Sequence, residues 1–380
     1  MSSYRYLIVG GGMTGDAACR GIREHDADGS IGLVGAESHP PYDRPPLTKA
    51  LWQGKDESSI WRGTEELGAE LHTARRIVSL DLDGRTAIDD QGDDYGYERI
   101  LLATGGKPRQ IDGLDDAVYF RTFGDYQRLR RLAGDAGRFV VVGGGFIGSE
   151  IAAALQSNGA SVTMLFPDDG ICARLFPAAL SQFVTDYYRE QGVEVLTGER
   201  VRAGDARLDG TKAVVAGLGI EPDTALASEA GLPVDNGIVV DAYGRVGGRD
   251  DVYAAGDVAR FPVPALGTEM RVEHEDHART HGRAVGANMA GAETPYDHLP
   301  FFYSDLFDLG YEAVGEISSR HDTVEHWKEP GREGVVAYVD DRQRPRGFLL
   351  WNVWGKVDAA RDLIRAAQAV DESTVRELAG

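Results

Sequence analysis

The chain has 380 residues, with 40 Lys and Arg against 61 Asp and Glu, which gives a formal net charge of -21 and an isoelectric point near 4.8. This length allows two or three domains, and the acidity disfavours nucleic acids and anionic membrane surfaces as partners. Its two cysteines, Cys19 and Cys172, exclude a disulfide framework and a Cys-x-x-Cys redox pair. We find neither a signal peptide nor a membrane span, and therefore expect a cytoplasmic protein.

The first predicted unit is a β-strand, a glycine turn, a helix and a second strand. Apolar residues at 6–9 precede the turn, alanine-rich sequence at 16–23 follows it, and Ile31–Val34 form the second apolar run. In such a G-x-G-x-x-G turn the first glycine permits the bend, the second admits a pyrophosphate and the third lets the helix pack on the strand. An acid after the second strand binds ribose hydroxyls. The residues predicted to contact a dinucleotide here are Gly10, Gly12, Gly15 and Glu37.

The same pattern returns 133 positions later, with apolar runs at 139–142 and 161–166. A lone glycine motif is a weak signal because plain tight turns are common, but here it follows a strand and opens a helix in both copies. We therefore predict a second dinucleotide site. Its residues are Gly143, Gly145, Gly148 and the acid Asp168.

Later segments indicate how the units are organised. The segments at 99–106 and 251–258 each predict a buried strand that ends in small residues, so residues 1–112 and 236–300 are predicted to form one dinucleotide-binding domain that is interrupted by a second at 113–235. Alternating patterns at 335–339 and 347–351 predict antiparallel strands, and an amphipathic helix is predicted over 357–370. Residues 301–380 are therefore predicted to form a C-terminal α+β domain.

Together these motifs resemble the FAD- and NAD(P)-dependent pyridine nucleotide oxidoreductase superfamily over essentially the whole chain. Residues 42–49, Tyr-Asp-Arg-Pro-Pro-Leu-Thr-Lys, are similar to the R-P-P-L-[ST]-K signature of its ferredoxin-reductase-like branch. Segments 165–168, 272–278, 310–315 and 350–352 are most similar to the apoptosis-inducing factor group. The resemblance implies an α/β fold with two Rossmann-like domains in a glutathione-reductase-like arrangement, plus a C-terminal α+β domain with an antiparallel sheet.

The resemblance also implies FAD in the first unit and a nicotinamide nucleotide in the second. It adds these FAD contacts: Arg44, Lys49, the backbone of Ile77, Ala103, Thr104, Gly105, Gly256, Asp257, Glu273 and His274. On the nicotinamide side it adds Phe146, Arg174 and Gly219. The carboxylate of Asp168 repels a 2′-phosphate, so NADH is expected over NADPH, although Arg174 is an alternative partner for such a phosphate. Phe146 is alternatively a core residue.

Lys49 and Glu150 are implied to be the catalytic pair, adjacent to the flavin N5 edge, where a lysine stabilises charge that develops during hydride transfer. The alternative is an inter-domain salt bridge without a catalytic share. Trp351 is implied to contact the flavin or the electron acceptor, with a core tryptophan as the alternative. A metal at Glu273, His274 and His277 is disfavoured because their spacing matches no zinc pattern, so we predict no metal site.

The implied function is an FAD-dependent NADH oxidoreductase that transfers hydride from NADH to the flavin N5 and then electrons to an acceptor such as a ferredoxin or rubredoxin. The alternatives are a redox sensor, similar to apoptosis-inducing factor, with slow NADH oxidation and a stable charge-transfer complex, and a quinone or dye reductase. An acidic ferredoxin needs a basic patch on this acidic chain, for which Arg342, Arg344 and Arg346 are candidates, with a solvated loop as the favoured alternative. A homodimer is left open.

Overall fold

A computed structural model describes residues 2–135 and 137–380. The α-helices, in chain order, are α1 Met13–His25, α2 Phe123–Ala133, α3 Phe146–Ser157, α4 Ala178–Glu190, α5 Ala225–Glu229, α6 Glu275–Met289, α7 Val357–Ala366 and α8 Glu372–Ala379. Short 3-10 helices cover Pro45–Leu47, Glu57–Ile60, Thr64–Leu67, Ala206–Leu208, Gly256–Val258 and Pro264–Leu266.

The β-strands often follow one another without an α-helix between them. They are β1 Ser2–Val9, β2 Ile31–Val34, β3 Ala69–His72, β4 Ile77–Asp81, β5 Thr86–Asp89, β6 Asp94–Leu102, β7 Gly106–Pro108, β8 Val118–Tyr119, β9 Arg138–Val142, β10 Ser161–Phe166, β11 Glu194–Thr197, β12 Ala213–Ala216, β13 Ile220–Pro222, β14 Ile238–Val239, β15 Val252–Ala254, β16 Ala259–Val263, β17 Thr268–Met270, β18 Phe301–Leu306, β19 Leu309–Gly315, β20 Asp322–Glu329, β21 Glu333–Val339 and β22 Pro345–Trp351.

The chain forms two compact units. The first contains the chain up to Arg44, Glu57–Lys107 and Glu221–Pro300, and the second contains Pro45–Asp56, Pro108–Ile220 and Phe301–Gly380. The three domains predicted from the sequence, with boundaries after residues 112, 235 and 300, stay a prediction.

The core of the first unit is a sheet with the strand order β3-β2-β1-β6-β5-β4, in which β15 also pairs with β6. Strands β1, β2, β3, β6 and β15 are parallel, and β4 and β5 are antiparallel. Val9 lies opposite Leu102, and Ala254 lies opposite Leu102 on the other side, so β1, β6 and β15 end at the same edge. The loops that follow these three strands therefore meet there.

Helices α1 and α6 pack very closely in this unit. A Cβ atom on Gly21 of α1 would lie 2.0 Å from the carbonyl oxygen of Arg283, and one on Gly286 of α6 would lie 2.2 Å from that of Ala18. Only glycine allows the two backbones to approach so closely. The contact fixes the beginning of α6 relative to the first glycine turn.

The second unit contains two sheets. The parallel sheet has the order β11-β10-β9-β12-β8, with Val142 of β9 opposite Leu165 and Ala216. The C-terminal sheet is antiparallel with the order β18-β19-β22-β21-β20, so β18 is an edge strand. The predicted fold class, α/β with two Rossmann-like units and a C-terminal antiparallel sheet, is confirmed.

The helix predicted over 357–370 is too long. Helix α7 ends at Ala366 because Ala367 takes a left-handed backbone conformation, with φ +48, and its N–H bonds to the carbonyl of Ile364. Asp371 then begins α8, since its carboxylate accepts a hydrogen bond from the N–H of Thr374. Within residues 2–135 and 137–380, every helix is too short or too polar to cross a membrane.

Candidate functional site

The first glycine turn, between β1 and α1, is closed by backbone contacts and open at its centre. A Cβ on Gly10, whose φ is +130, would lie 2.1 Å from the carbonyl oxygen of Ala103, and a Cβ on Gly15 would lie 2.2 Å from that of Gly10. Around Gly12, by contrast, a Cβ would meet no atom within 4 Å. Gly12 is also the N-cap of α1 and provides no side chain to cap its N–H groups. The arrangement fits an anion such as a pyrophosphate.

The second glycine turn, between β9 and α3, has the same geometry. A Cβ on Gly143, with φ +116, would lie 2.3 Å from the carbonyl oxygen of Gly217, and one on Gly148 would lie 2.0 Å from that of Gly143. A Cβ on Gly145 would again meet nothing within 4 Å. Each unit therefore has a turn in which the outer glycines are sterically required and the middle one faces open space.

Each turn has an acid after the second strand, and each acid already has an arginine partner. Glu37 accepts hydrogen bonds from the hydroxyl of Tyr42, at 2.6 Å, and from Arg44, at 2.7 Å. Asp168 accepts two from Arg174 through Oδ1, at 3.1 and 3.2 Å, and 78% of the Arg174 side chain is exposed. The charge that Asp168 presents to a ribose is thus partly offset by an exposed cation.

The remaining predicted FAD residues of the first unit are Ile77 in β4, Ala103, Thr104 and Gly105 after β6, Gly256 and Asp257 after β15, and Glu273 and His274 before α6. Ala103 donates its N–H to the carbonyl of Val9, and Thr104 Oγ1 donates to the carbonyl of Asp223 at 2.7 Å. Gly105 has φ +67 and accepts from the N–H of Asp223. Ile77 is buried at the start of β4, opposite Asp89.

Three buried or partly buried histidines support the loop after β15. The N–H of Gly256, with φ +74, donates to Nδ1 of His281 at 3.3 Å, and Arg271 donates to the carbonyl of Asp257 at 3.2 Å. Burial lowers the pKa of His281 to about 3 and that of His274, the N-cap of α6, to about 4. Burial also holds the pKa of His277 well below its ordinary value. At neutral pH these rings are therefore uncharged.

Glu273 and His277, which flank the beginning of α6, differ in their polar contacts. Glu273 forms an ion pair with Arg271 at 2.6 Å. Nε2 of His277 is buried without a hydrogen-bond partner, while its Nδ1 lies 3.2 Å from the hydroxyl of Tyr296. Across residues 2–135 and 137–380, His, Cys, Asp and Glu side chains form no group of three or more that could hold a metal ion.

In the second unit, Lys49 and Glu150 form an ion pair. Glu150, on α3, is buried, and its Oε1 accepts hydrogen bonds from Lys49 Nζ and from Ser304 Oγ, the latter at 2.6 Å. Its Oε2 accepts from Thr48 Oγ1 at 2.6 Å. Lys49 Nζ also lies 5.5 Å from the ring centre of Tyr303. Whether the pair takes part in hydride transfer stays a prediction.

Sequence reasoning missed Thr48 and Ser304. Thr48 precedes the predicted lysine in the signature segment, so its place beside Lys49 was a usable signal. Ser304 lies 154 residues from Glu150, in an edge strand, and nothing in the local pattern marks it as a partner of that carboxylate.

The remaining predicted residues of the second unit lie in the loop after β12, at the start of α3 and in the C-terminal sheet. The carbonyl of Gly219 accepts from the N–H of Arg109, and the ring of Phe146 lies 5.0 Å from that of Phe302. Trp351 is fully buried, and its indole N–H donates to the carbonyl of Gly331 at 2.8 Å. It has no exposed face for a flavin or a protein, so the structure favours the core alternative over the predicted contact.

Neither the cysteines nor the candidate basic patch adds a functional group. Burial raises the pKa of both Cys19 and Cys172 to about 12, which keeps them as inert thiols. Arg344 forms an ion pair with Asp340, and Arg346 forms one with Glu316, so much of the patch charge is neutralised locally.

Comparison with known proteins identifies the class. The family described as pyridine nucleotide-disulphide oxidoreductase matches residues 4–282, and the one described as apoptosis-inducing factor, mitochondrion-associated, C-term, matches residues 285–333. The chain therefore belongs to the pyridine nucleotide-disulphide oxidoreductase family, as the motifs predicted. It is a flavin-dependent oxidoreductase whose cofactors are FAD and a nicotinamide nucleotide.

Relatives of more than one kind match the chain. The chain is 33% identical to apoptosis-inducing factor 1, mitochondrial, of Dictyostelium discoideum, over 98% of this chain and 80% of that protein. It is 32% identical to the ferredoxin–NAD(+) reductase component of the anthranilate 1,2-dioxygenase system of Burkholderia cepacia, over 98% of this chain and 96% of that protein. Among solved structures, the covalent putidaredoxin reductase–putidaredoxin complex matches with a TM-score of 0.90 and 27% identity, over 99% of this chain and 96% of that one.

Substitution of different glycines in the first turn should affect either the stability of the protein or its affinity for FAD. Gly15→Ala places a Cβ against a backbone oxygen and is expected to destabilise the protein by about 1–3 kcal/mol. Gly12→Ala enters open space, so apoprotein stability should change by less than about 0.5 kcal/mol, whereas FAD affinity should fall at least about tenfold because the methyl group occupies the pyrophosphate position. Denaturant unfolding and FAD titration measure the two effects. Wild-type FAD affinity in Gly12→Ala would contradict this assignment.

The buried histidines predict a loss of stability in acid. The unfolded chain binds protons near the ordinary histidine pKa of about 6.5, but folded His281 resists protonation until pH is about 3. The free energy of unfolding should therefore fall as pH drops below about 6.5, by up to about 1.4 kcal/mol per pH unit for each such histidine. His281→Gln keeps an acceptor for Gly256 and removes one titrating group, so the slope should decrease.

Denaturant unfolding at fixed FAD concentration, from about pH 7 to about pH 4.5, measures this slope. His25→Gln, at an exposed histidine of α1, is the matched control. An unchanged slope in His281→Gln would show that His281 does not contribute to the pH dependence of the free energy of unfolding.

Proposed function

We propose that this protein oxidises NADH with FAD and delivers the electrons to a ferredoxin-type acceptor. The observation that carries the proposal is the repetition of one glycine turn, with the same open middle glycine, in two units of one chain. When bound, FAD supplies the redox chemistry, since its N5 accepts hydride from C4 of the reduced nicotinamide and the flavin then yields electrons to an acceptor. The ferredoxin reductases among the relatives support the choice of acceptor.

The first unit is the proposed FAD site. The turn at Gly12 and the N-terminus of α1 bind the pyrophosphate, and Glu37 accepts from the adenosine ribose. The loops at 103–105 and 256–257 converge at the shared edge of β1, β6 and β15 and line the site. His274 begins α6, whose positive dipole end favours negative charge on the nearby part of the cofactor.

The second unit is the proposed NADH site. Gly145 and the N-terminus of α3 bind the pyrophosphate, and Asp168 accepts from the ribose hydroxyls. A carboxylate at this position repels a 2′-phosphate, which favours NADH over NADPH. Arg174 is held by Asp168, so the arginine that would attract a phosphate is engaged.

Lys49 and Glu150 are the proposed catalytic pair. The ammonium of Lys49 stabilises the negative charge that develops as hydride is transferred, and the buried carboxylate keeps the ammonium oriented. The Tyr303 ring gives a further attraction to the same cation.

A second candidate function is a redox sensor that oxidises NADH slowly and remains reduced. Two observations favour it: the match of residues 285–333 to the apoptosis-inducing factor C-terminal family, and the local neutralisation of Arg344 and Arg346 on a chain with a net charge of -21. The second observation weakens long-range attraction for an acidic ferredoxin.

Anaerobic stopped-flow absorbance separates the two functions. The purified yellow protein is mixed with NADH or NADPH, and then with a ferredoxin, a rubredoxin or oxygen. The reductase proposal expects rapid bleaching by NADH and prompt recovery of the colour with the iron–sulfur protein. A persistent long-wavelength band with slow recovery on every acceptor supports the sensor, and a natively folded protein that cannot bind FAD overturns both.

The Asp168–Arg174 pair predicts how nucleotide preference can be changed. Asp168→Ala removes the repulsive carboxylate and releases Arg174 to pair with a 2′-phosphate, so kcat/KM for NADPH relative to NADH should rise by about tenfold or more. In the double variant Asp168→Ala, Arg174→Ala most of that gain should disappear. Steady-state kinetics with a dye acceptor measure the ratio. An unchanged ratio in Asp168→Ala would place the selectivity elsewhere.

A further inference from the structure

The Glu150 carboxylate is a buried charged group of the second unit with several hydrogen-bond donors. It is 6% exposed, and it receives three hydrogen bonds, from one ammonium and two hydroxyl groups. The hydroxyl donors, Thr48 and Ser304, are themselves 7% and 1% exposed. A buried charge is tolerated only when its hydrogen-bonding capacity is satisfied, so both hydroxyls are needed to complete the site.

We propose that Ser304, together with Thr48, is a positioning residue for the Lys49–Glu150 pair. The two hydroxyl groups hold the carboxylate in one orientation, and the carboxylate in turn holds the ammonium. This inference rests on the proposed function of Lys49 in hydride transfer, and it adds two residues that act through Glu150.

The direction of each hydrogen bond follows from the chemistry of the groups. An ionised carboxylate only accepts, so the single hydroxyl proton of Ser304 is directed to Oε1, the oxygen that also receives Lys49. Thr48 Oγ1 lies 2.6 Å from Oε2 and 3.2 Å from the carbonyl of Pro45, and the shorter contact to a charged acceptor is the stronger one. The two hydroxyls therefore hold opposite oxygens, which prevents rotation of the carboxylate.

The backbone places both hydroxyls with little freedom. Ser304 lies on β18, opposite Tyr311 of β19 in the antiparallel register. Thr48 precedes Lys49 and donates its own N–H to the carbonyl of Pro45, in the turn that follows the short helix Pro45–Leu47. Thr48 and Lys49 therefore approach Glu150 together, and β18 approaches it independently.

Loss of either hydroxyl has a predictable geometric effect. The carboxylate oxygen that loses its hydroxyl donor is no longer fixed, so the carboxylate can turn out of the orientation in which it accepts from Lys49 Nζ. The ammonium is then no longer held in one place, and hydride transfer should slow.

The test uses FAD-loaded full-length protein and the anaerobic rate of flavin reduction over a range of NADH concentrations. In Ser304→Ala the limiting rate should fall by about tenfold, with the apparent NADH dissociation constant unchanged. Thr48→Val should act in the same direction, whereas Thr48→Ser keeps the hydroxyl and should keep the wild-type limiting rate. Ser161→Ala, at an exposed position of β10, is the matched control.

Lys49→Met separates failure of this inference from failure of the proposed function. A slow Lys49→Met variant beside a wild-type limiting rate in both Ser304→Ala and Thr48→Val would overturn the positioning role alone. A wild-type rate in Lys49→Met would overturn the catalytic role of the pair and this inference with it. If Ser304→Ala loses FAD, the Thr48→Val and Thr48→Ser comparison decides the outcome, since both variants keep a side chain of similar volume.

Discussion

The fold depends on the distance between a strand and the helix that follows it. In both units the third glycine of the turn lies so close to the first that a single added methyl group would overlap a carbonyl oxygen. This contact brings the helix N-terminus to the end of the strand, and it leaves open space beside the middle glycine. The same constraint therefore packs the βαβ unit and creates a position for an anion. The acids, the adjoining loops and the helices are arranged around that position.

Asp16 and Glu150 are both buried carboxylates, and the donors around each one indicate whether its role is structural or chemical. Asp16 on α1 accepts hydrogen bonds from Arg20, Arg62 and Thr64, and although burial alone would raise its pKa, these donors lower it overall. Two arginines thus tie α1 to the 57–67 segment. Glu150 on α3 has a single cationic partner, Lys49, and two neutral hydroxyls. A lone ammonium keeps more of its charge available to another anion, which suits the proposed role in hydride transfer.

Local sequence predicted the parts of the molecule that are determined locally. The glycine turns and the strands at 31–34 and 161–166 were predictable because turn chemistry and apolar runs act over a few residues. The end of α7 was not, since Ala367 adopts a left-handed conformation that an alanine rarely takes. The pairing of Lys49 with Glu150 came from family resemblance, and the Ser304 contact required the register of β18. The burial of Trp351 could not be predicted either, because the local sequence does not distinguish a buried tryptophan from an exposed one.

A crystal structure of the oxidised protein with NAD⁺ would test the central claim, that each open glycine turn binds one dinucleotide. We expect the FAD pyrophosphate beside Gly12 and the NAD⁺ pyrophosphate beside Gly145, with Glu37 and Asp168 each accepting from an adenosine ribose. Occupancy of only one turn at saturating NAD⁺, or either pyrophosphate bound away from both turns, would contradict the account.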